Sequence, residues 1–201
     1  MTRIAAAVAR IPAGVLSDLR LRYAEPWRGY HDWLHIEELL RQLEVADEET
    51  PFADIDATVA AALFHDAVLV PLAHDNEAAS AELALRVLAA AMPTVDRERA
   101  ARLIRLTADH GKLEPDHVDE DEARFLDADL AIVASAPERY AQYERGVARE
   151  YAALPPEVFA EGRRAFLRGL RDKPVLFLSA SFHRRLDAAA RVNLERALAR
   201  S

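Results

Sequence analysis

The residues of this chain best suited to chemistry are histidines and aspartates in unusual places. His31 and His35 stand four apart. His65 and Asp66 form a doublet at the end of an apolar run, and Asp129 lies inside a later apolar stripe. Imidazole nitrogen and carboxylate oxygen together suit borderline and hard divalent cations: manganese, iron, cobalt, nickel, magnesium or zinc. The sequence contains no cysteine, which excludes thiolate ligands and disulfides and fits a reducing cytoplasm.

Each piece has a chemical reading and a plainer one. The doublet follows Thr58-Val-Ala-Ala-Ala-Leu-Phe64, which is apolar nearly all round and should lie deep in the core. A buried carboxylate beside a buried imidazole costs several kcal/mol unless it is paired or bound to metal. The plainer alternative is a satisfied core histidine with Asp66 at the helix end. At about 100° per residue, the segment from Asp119 to Ser135 gathers Phe125, Leu126, Leu130, Ile132 and Val133 on one face, with Asp129 near its middle. Asp127 falls on the far side with Arg124 and Ala131. Asp129 is therefore expected inside, facing a cation or a salt-bridged arginine, and Asp127 is expected in solvent. His35 sits at the edge of the stripe Ile36, Leu39, Leu40 and Leu43, on the same helix side as His31. His35 is expected to face the core and His31 to lie one turn outward toward a cleft; two surface histidines are the alternative.

Helix signals position these residues. Helices are expected over about Ala13 to Tyr23, His31 to Ala46, Asp54 (as N-cap) to Val68, and Asp75 (as cap) to Ala91. Pro93 and Thr94 should open a helix ending near His110, where Gly111 is a stop. Acidic residues from Asp119 to Glu122 should start one running to about Ser135. Two more follow, from Pro137 to about Ala153 and from the Pro155-Pro156 pair to about Arg171. Lys173 to Ser179 reads as extended, and Ser181 as the cap of a last helix. The fold class is all-α.

Composition bounds the rest. The 201 residues suit one domain, and 51% apolar residues suffice for a core. A net charge of -8 disfavours general binding to a nucleic acid backbone, while one bound metal could reverse the sign locally for a small anion. No stretch approaches the roughly 20 apolar residues of a membrane span, and Met1 to Arg10 is too short and polar for a leader. A cytoplasmic protein is expected.

The order of these pieces resembles the HD superfamily of metal-dependent phosphohydrolases: an isolated histidine, a His-Asp doublet on a buried helix, then a distant aspartate. A bacterial group of predicted HD phosphohydrolases is similar at Tyr30-His31 with His35-Ile36, at Phe64-His65-Asp66, at Asp75-Asn76-Glu77 with Ser80-Ala81, at Phe125 to Leu130, and at Arg191 with Asn193-Leu194. The resemblance implies an HD-domain-like helical bundle with additional C-terminal helices. It is organised as a single domain over 1–201, with a metal-binding core at about 25–135 and a helical C-terminal extension at 136–201. It implies His35, His65, Asp66 and Asp129 as metal ligands, Asp129 matching the Ala-Asp step usual for the last of them.

The segment Tyr30 to His35 also resembles the Tyr-His-Asn-x-x-His element of cyclic-nucleotide phosphodiesterases, with Asp32 in place of Asn. There the first histidine is the proton donor, which implies that role for His31. Glu77 is either a base or holder of a water near the metal, or first-turn helix decoration. By the resemblance His110 could bind a second metal or the phosphate; the plainer reading is a histidine complementing a helix C-terminus. His74, His117 and His183 are expected at the surface.

The implied activity is hydrolysis of a phosphate ester or anhydride in a small nucleotide-like or phosphorylated metabolite. Asp66 or Asp129 would align water, and His31 would protonate the leaving oxygen. The implied partner is that small substrate, with no nucleic acid and no membrane; a homodimer is compatible. The alternative is a metal-binding regulatory HD module without turnover, and a third reading is a helical interaction protein with buried ion pairs.

Overall fold

The computed structural model describes residues 1–200, and among them every regular element is helical. The α-helices are α1 Arg3–Arg10, α2 Ala13–Tyr23, α3 Trp33–Glu49, α4 Ile55–Phe64, α5 Asn76–Ala91, α6 Arg97–Leu106, α7 Glu120–Leu130, α8 Pro137–Glu150, α9 Pro156–Asp172 and α10 Ala180–Leu198. None of them is long and apolar enough to cross a membrane. The all-α class read from the sequence is the class observed.

Several starts and stops have visible causes. The side chains of Thr2, Asp54, Asp96 and Asp119 accept from backbone N–H groups of the first turns of α1, α4, α6 and α7, satisfying donors that a helix start otherwise orphans. Asp119 and Glu122 complete a reciprocal capping box. Gly111 takes the left-handed conformation at φ 82° just beyond the 3-10 turn Thr107–Asp109 that extends α6.

Several expected boundaries move, and the helix expected to reach about Val68 ends at Phe64, leaving Asp66 beyond it. The helix expected from His31 starts at Trp33, because Asp32 caps it by accepting from Leu34 N and His35 N. Pro93 and Thr94 precede the cap Asp96 rather than opening α6. The last helix is capped by Ser179, not Ser181: its Oγ accepts from Phe182 N.

The chain forms two compact units, Met1–Pro26 with His31–Asp109, and Trp27–Tyr30 with the chain from His110 onward. Residues 110–135, grouped by sequence with the metal-binding core, thus lie in the second unit.

In the first unit α4 is central. Every residue from Ala57 to Phe64 is buried, and α1, α3, α5 and α6 pack against it. Its alanines admit close neighbours, and Leu63 and Phe64 fill the space between them.

In the second unit α10 packs on α7, α9 and the 3-10 turn Ala131–Ala134. Trp27–Tyr30 is held there by Glu150, whose Oε1 accepts from Gly29 N and Tyr30 N at 2.8 Å each. Tyr30 meets the edge of Tyr143, with ring centroids 4.6 Å apart. Gly29 passes so close to Gly146 that a Cβ on Gly146 would lie 2.5 Å from the Gly29 carbonyl oxygen. Backbone against backbone cannot yield as a flexible side chain can. Gly146→Ala is therefore expected to cost about 3 kcal/mol or more, read as a fall in thermal midpoint; an unchanged midpoint would contradict the close approach.

Candidate metal centre

The first unit brings His35, His65 and Asp66 together. His35 lies in the first turn of α3 and is 3% exposed; His65 caps the C-terminal end of α4 and is 1% exposed. The two Nε2 atoms stand 3.0 Å apart. Asp66 Oδ2 lies 3.0 Å from His65 Nε2 and 3.6 Å from His35 Nε2. The Asp66 side chain keeps 17% of its surface exposed and is the open side of the cluster.

The His65 ring is oriented from behind. Its Nδ1 lies 2.9 Å from the Ala62 carbonyl oxygen. A carbonyl only accepts, so Nδ1 carries the proton and donates. In the neutral ring this leaves a lone pair on Nε2, directed at the other two groups. A backbone carbonyl behind an imidazole is a recurrent arrangement for metal-binding histidines.

The donor set fits a small divalent cation. Metal–ligand bonds of about 2.1 Å separate neighbouring ligand atoms by about 3.0 Å at right angles and about 3.4 Å at tetrahedral angles. Two nitrogens and one carboxylate oxygen, all within 4.8 Å of one another, match that spacing. Burial alone would raise the Asp66 carboxyl, but the neighbouring His65, His31 and His35 outweigh it and hold the acid well below the usual carboxylate range. A cation in the same place would act in the same direction.

His31 precedes α3 rather than riding on it, so the expected pairing of two histidines one helical turn apart is not how the two meet. Its ring nevertheless stands edge-on to His35, with centroids 5.9 Å apart, and its charge reaches Asp66. Asp32 is the residue that sequence reasoning missed. An aspartate immediately before an apolar-periodic run is a readable N-cap signal, and it fixes the turn from which His35 projects. Glu77 lies in the first turn of α5, where a carboxylate complements the helix dipole.

The second unit contains the other two expected residues. Asp129 Oδ2 meets His110 Nε2 at 2.7 Å, with side chains 12% and 20% exposed. Asp129 thus has His110 among its partners, across nineteen residues of chain.

Asp127 reverses its expectation. It is 1% exposed, and its carboxylate accepts from Leu178 N, Ser179 N and Ser179 Oγ at 2.7 Å each. Arg124, assigned to the same outer face, is also buried and pairs with Asp121. The periodicity argument presumes one buried face, whereas α7 is buried continuously from Glu122 to Ala128. His74, His117 and His183 are exposed, as expected.

Compared with protein-family models, curated proteins and solved structures, the chain matches none.

Proposed function

We propose that the chain is a metal-dependent phosphohydrolase of the HD type, acting on a phosphate ester or anhydride of a small metabolite. One observation carries the reading: His35 Nε2, His65 Nε2 and Asp66 Oδ2 converge at ligand spacing, with the His65 tautomer fixed by Ala62. The motif order adds the reaction class. His35, His65 and Asp66 would hold the ion, which when bound would supply Lewis acidity toward water and a phosphoryl oxygen.

The chain's own groups do the rest. Asp66 has the exposed side of the cluster, where its carboxylate orients the attacking water and accepts its hydrogen bond. His31, next to His35 and half-buried, donates a proton to the leaving oxygen, work suited to imidazole near neutral pH. Asp32 holds the turn between the two histidines. Wide burial of His35 and His65 excludes bulk water from the ligand nitrogens and strengthens electrostatics at the phosphoryl group.

The test is elemental analysis of the purified protein, before and after incubation with manganese, nickel and iron(II), followed by a screen of phosphomonoesters, phosphodiesters and nucleotides. Near-stoichiometric metal with metal-dependent turnover is the expected result, and His31→Ala should keep the metal while losing turnover. Metal with no turnover on any substrate favours the regulatory module instead. Absence of bound metal under all conditions overturns the proposal. The same analysis on Asp129→Ala tests the fourth ligand that the resemblance adds: metal retained there removes it from the set.

A further inference from the structure

Asp66 has a structural problem that its neighbours His35 and His65 do not share. His35 belongs to α3, and His65 is held by its N–H to Ala61 O at 2.9 Å and its ring to Ala62 O. Asp66 lies beyond the end of α4, at the head of a ten-residue connection without regular structure up to Asp75. A carboxylate on such a segment is placed only as well as the backbone that follows it.

That backbone is held in an unusual way. Ala67 N closes a turn onto Phe64 O at 3.0 Å. Val68 then uses both its main-chain groups on one side chain: its N–H donates to Ser80 Oγ at 3.0 Å, and its carbonyl accepts from the same hydroxyl at 3.3 Å. Val70 does the same with Asn76, its N–H donating to Oδ1 at 2.9 Å and its carbonyl accepting from Nδ2 at 3.1 Å.

Alternate residues of this segment thus pair through N–H and C=O, as they would with a neighbouring strand, but the partner is a pair of side chains on the first turns of α5. The Val70 carbonyl also closes the turn to Ala73 N, with Leu72 at φ 68° inside it. Ser80 is completely buried. A serine and an asparagine four apart on a helix face the same way, which gives these two residues a shared task.

We propose that Ser80 and Asn76 are positioning residues for the metal centre: by clamping Val68 and Val70 they fix the chain that carries Asp66 and so hold its carboxylate at the two imidazoles. The inference rests on the proposed metal reading and deepens it. Ser80, clamping two residues beyond Asp66, has the larger share; Asn76, four residues beyond, has the smaller. Neither residue touches the ion or the substrate.

The experiment is cobalt(II) titration of the full-length chain, followed by visible absorption and by calorimetry, for wild type, Ser80→Ala and Asn76→Ala, with thermal midpoints of the metal-free proteins measured alongside. Loss of an outer support of this kind weakens metal affinity by about 10- to 100-fold. The expected result is a Kd about tenfold weaker in Ser80→Ala, a smaller weakening in Asn76→Ala, and a cobalt spectrum altered in both.

A merely structural role would lower the metal-free midpoint and leave Kd and spectrum at the wild-type values, and that outcome overturns the proposal. Asn76 is half-buried, so its variant reads the clamp even if Ser80→Ala folds poorly. Wild type that binds no cobalt overturns the metal reading itself, and this inference with it. Wild type that binds cobalt beside variants with unchanged Kd overturns only the clamp.

Discussion

Under the proposed phosphohydrolase reading, replacing Asp66 with alanine is expected to lower divalent-metal affinity by about a hundredfold and turnover of a phosphate ester by about a thousandfold or more. Asp66 supplies the one negative charge of the three-residue cluster, and two neutral imidazoles bind a hard or borderline cation poorly without it. Its side chain is more exposed than those of His35 and His65, so the fold should survive the change. Asp66→Asn separates charge from shape: it keeps the volume and one oxygen, and should recover little of the lost affinity.

The pH behaviour follows from the held-down acid. Burial works to raise Asp66, and His65, His31 and His35 more than cancel it. A carboxyl depressed in the folded state contributes stability above its unfolded value of about 3.9 and loses it as pH falls through the folded value. In the metal-free protein the stability gap between wild type and Asp66→Ala should therefore close as the pH falls into strong acid. The carboxylate stays ionised across the range where a phosphatase would be assayed. Metal content and turnover in Asp66→Ala within threefold of wild type would remove the residue from the site.

What the sequence made legible is what local rules decide. Abundant alanine and scarce glycine dictate helices, and Ala13–Tyr23 forms at the limits read for it. The cluster was legible because the run into Phe64 leaves no wet face, so His65 and Asp66 had to find partners indoors.

Where pairing is long-range, pattern ran out. Nothing near Asp129 points to His110, nineteen residues away, and nothing near Val68 points to Ser80. Lys173 to Ser179 reads as extended yet forms no strand. Its backbone is consumed by side chains: Arg191 donates to the carbonyls of Lys173 and Pro174, and Asp127 takes the N–H groups of Leu178 and Ser179. Helix α1 was not read from the sequence, although Thr2 caps it as a local rule would ask and Ile4 and Ala7 share its buried side.

Asp127 is where the sequence and the structure differ most in consequence. A solvent-facing aspartate at a helix position changes stability by less than about 0.5 kcal/mol when replaced by alanine. The buried Asp127 should instead cost on the order of 3 kcal/mol, because Asp127→Ala leaves two backbone donors and the Ser179 hydroxyl without their acceptor. Ser179 is also the N-cap of α10, so the loss falls on the start of the helix around which the second unit packs. The expected reading is a thermal midpoint lower by roughly 10 °C.

Burial pushes the Asp127 carboxyl up to about 6, against the lowering effects of Ser179, Leu178 and His110. A raised folded value means that protonation favours the fold. The contribution is complete below the unfolded value of about 3.9 and is lost as pH rises through about 6. Wild type should accordingly gain about 1 kcal/mol from this group between pH 7 and pH 5. Asp127→Asn cannot titrate there and should lack that gain, so the difference in midpoint between the two proteins should change with pH over this window. Asp66 titrates in a lower range. A pH-independent difference, or an alanine variant as stable as wild type, would return Asp127 to the surface where helical periodicity first placed it.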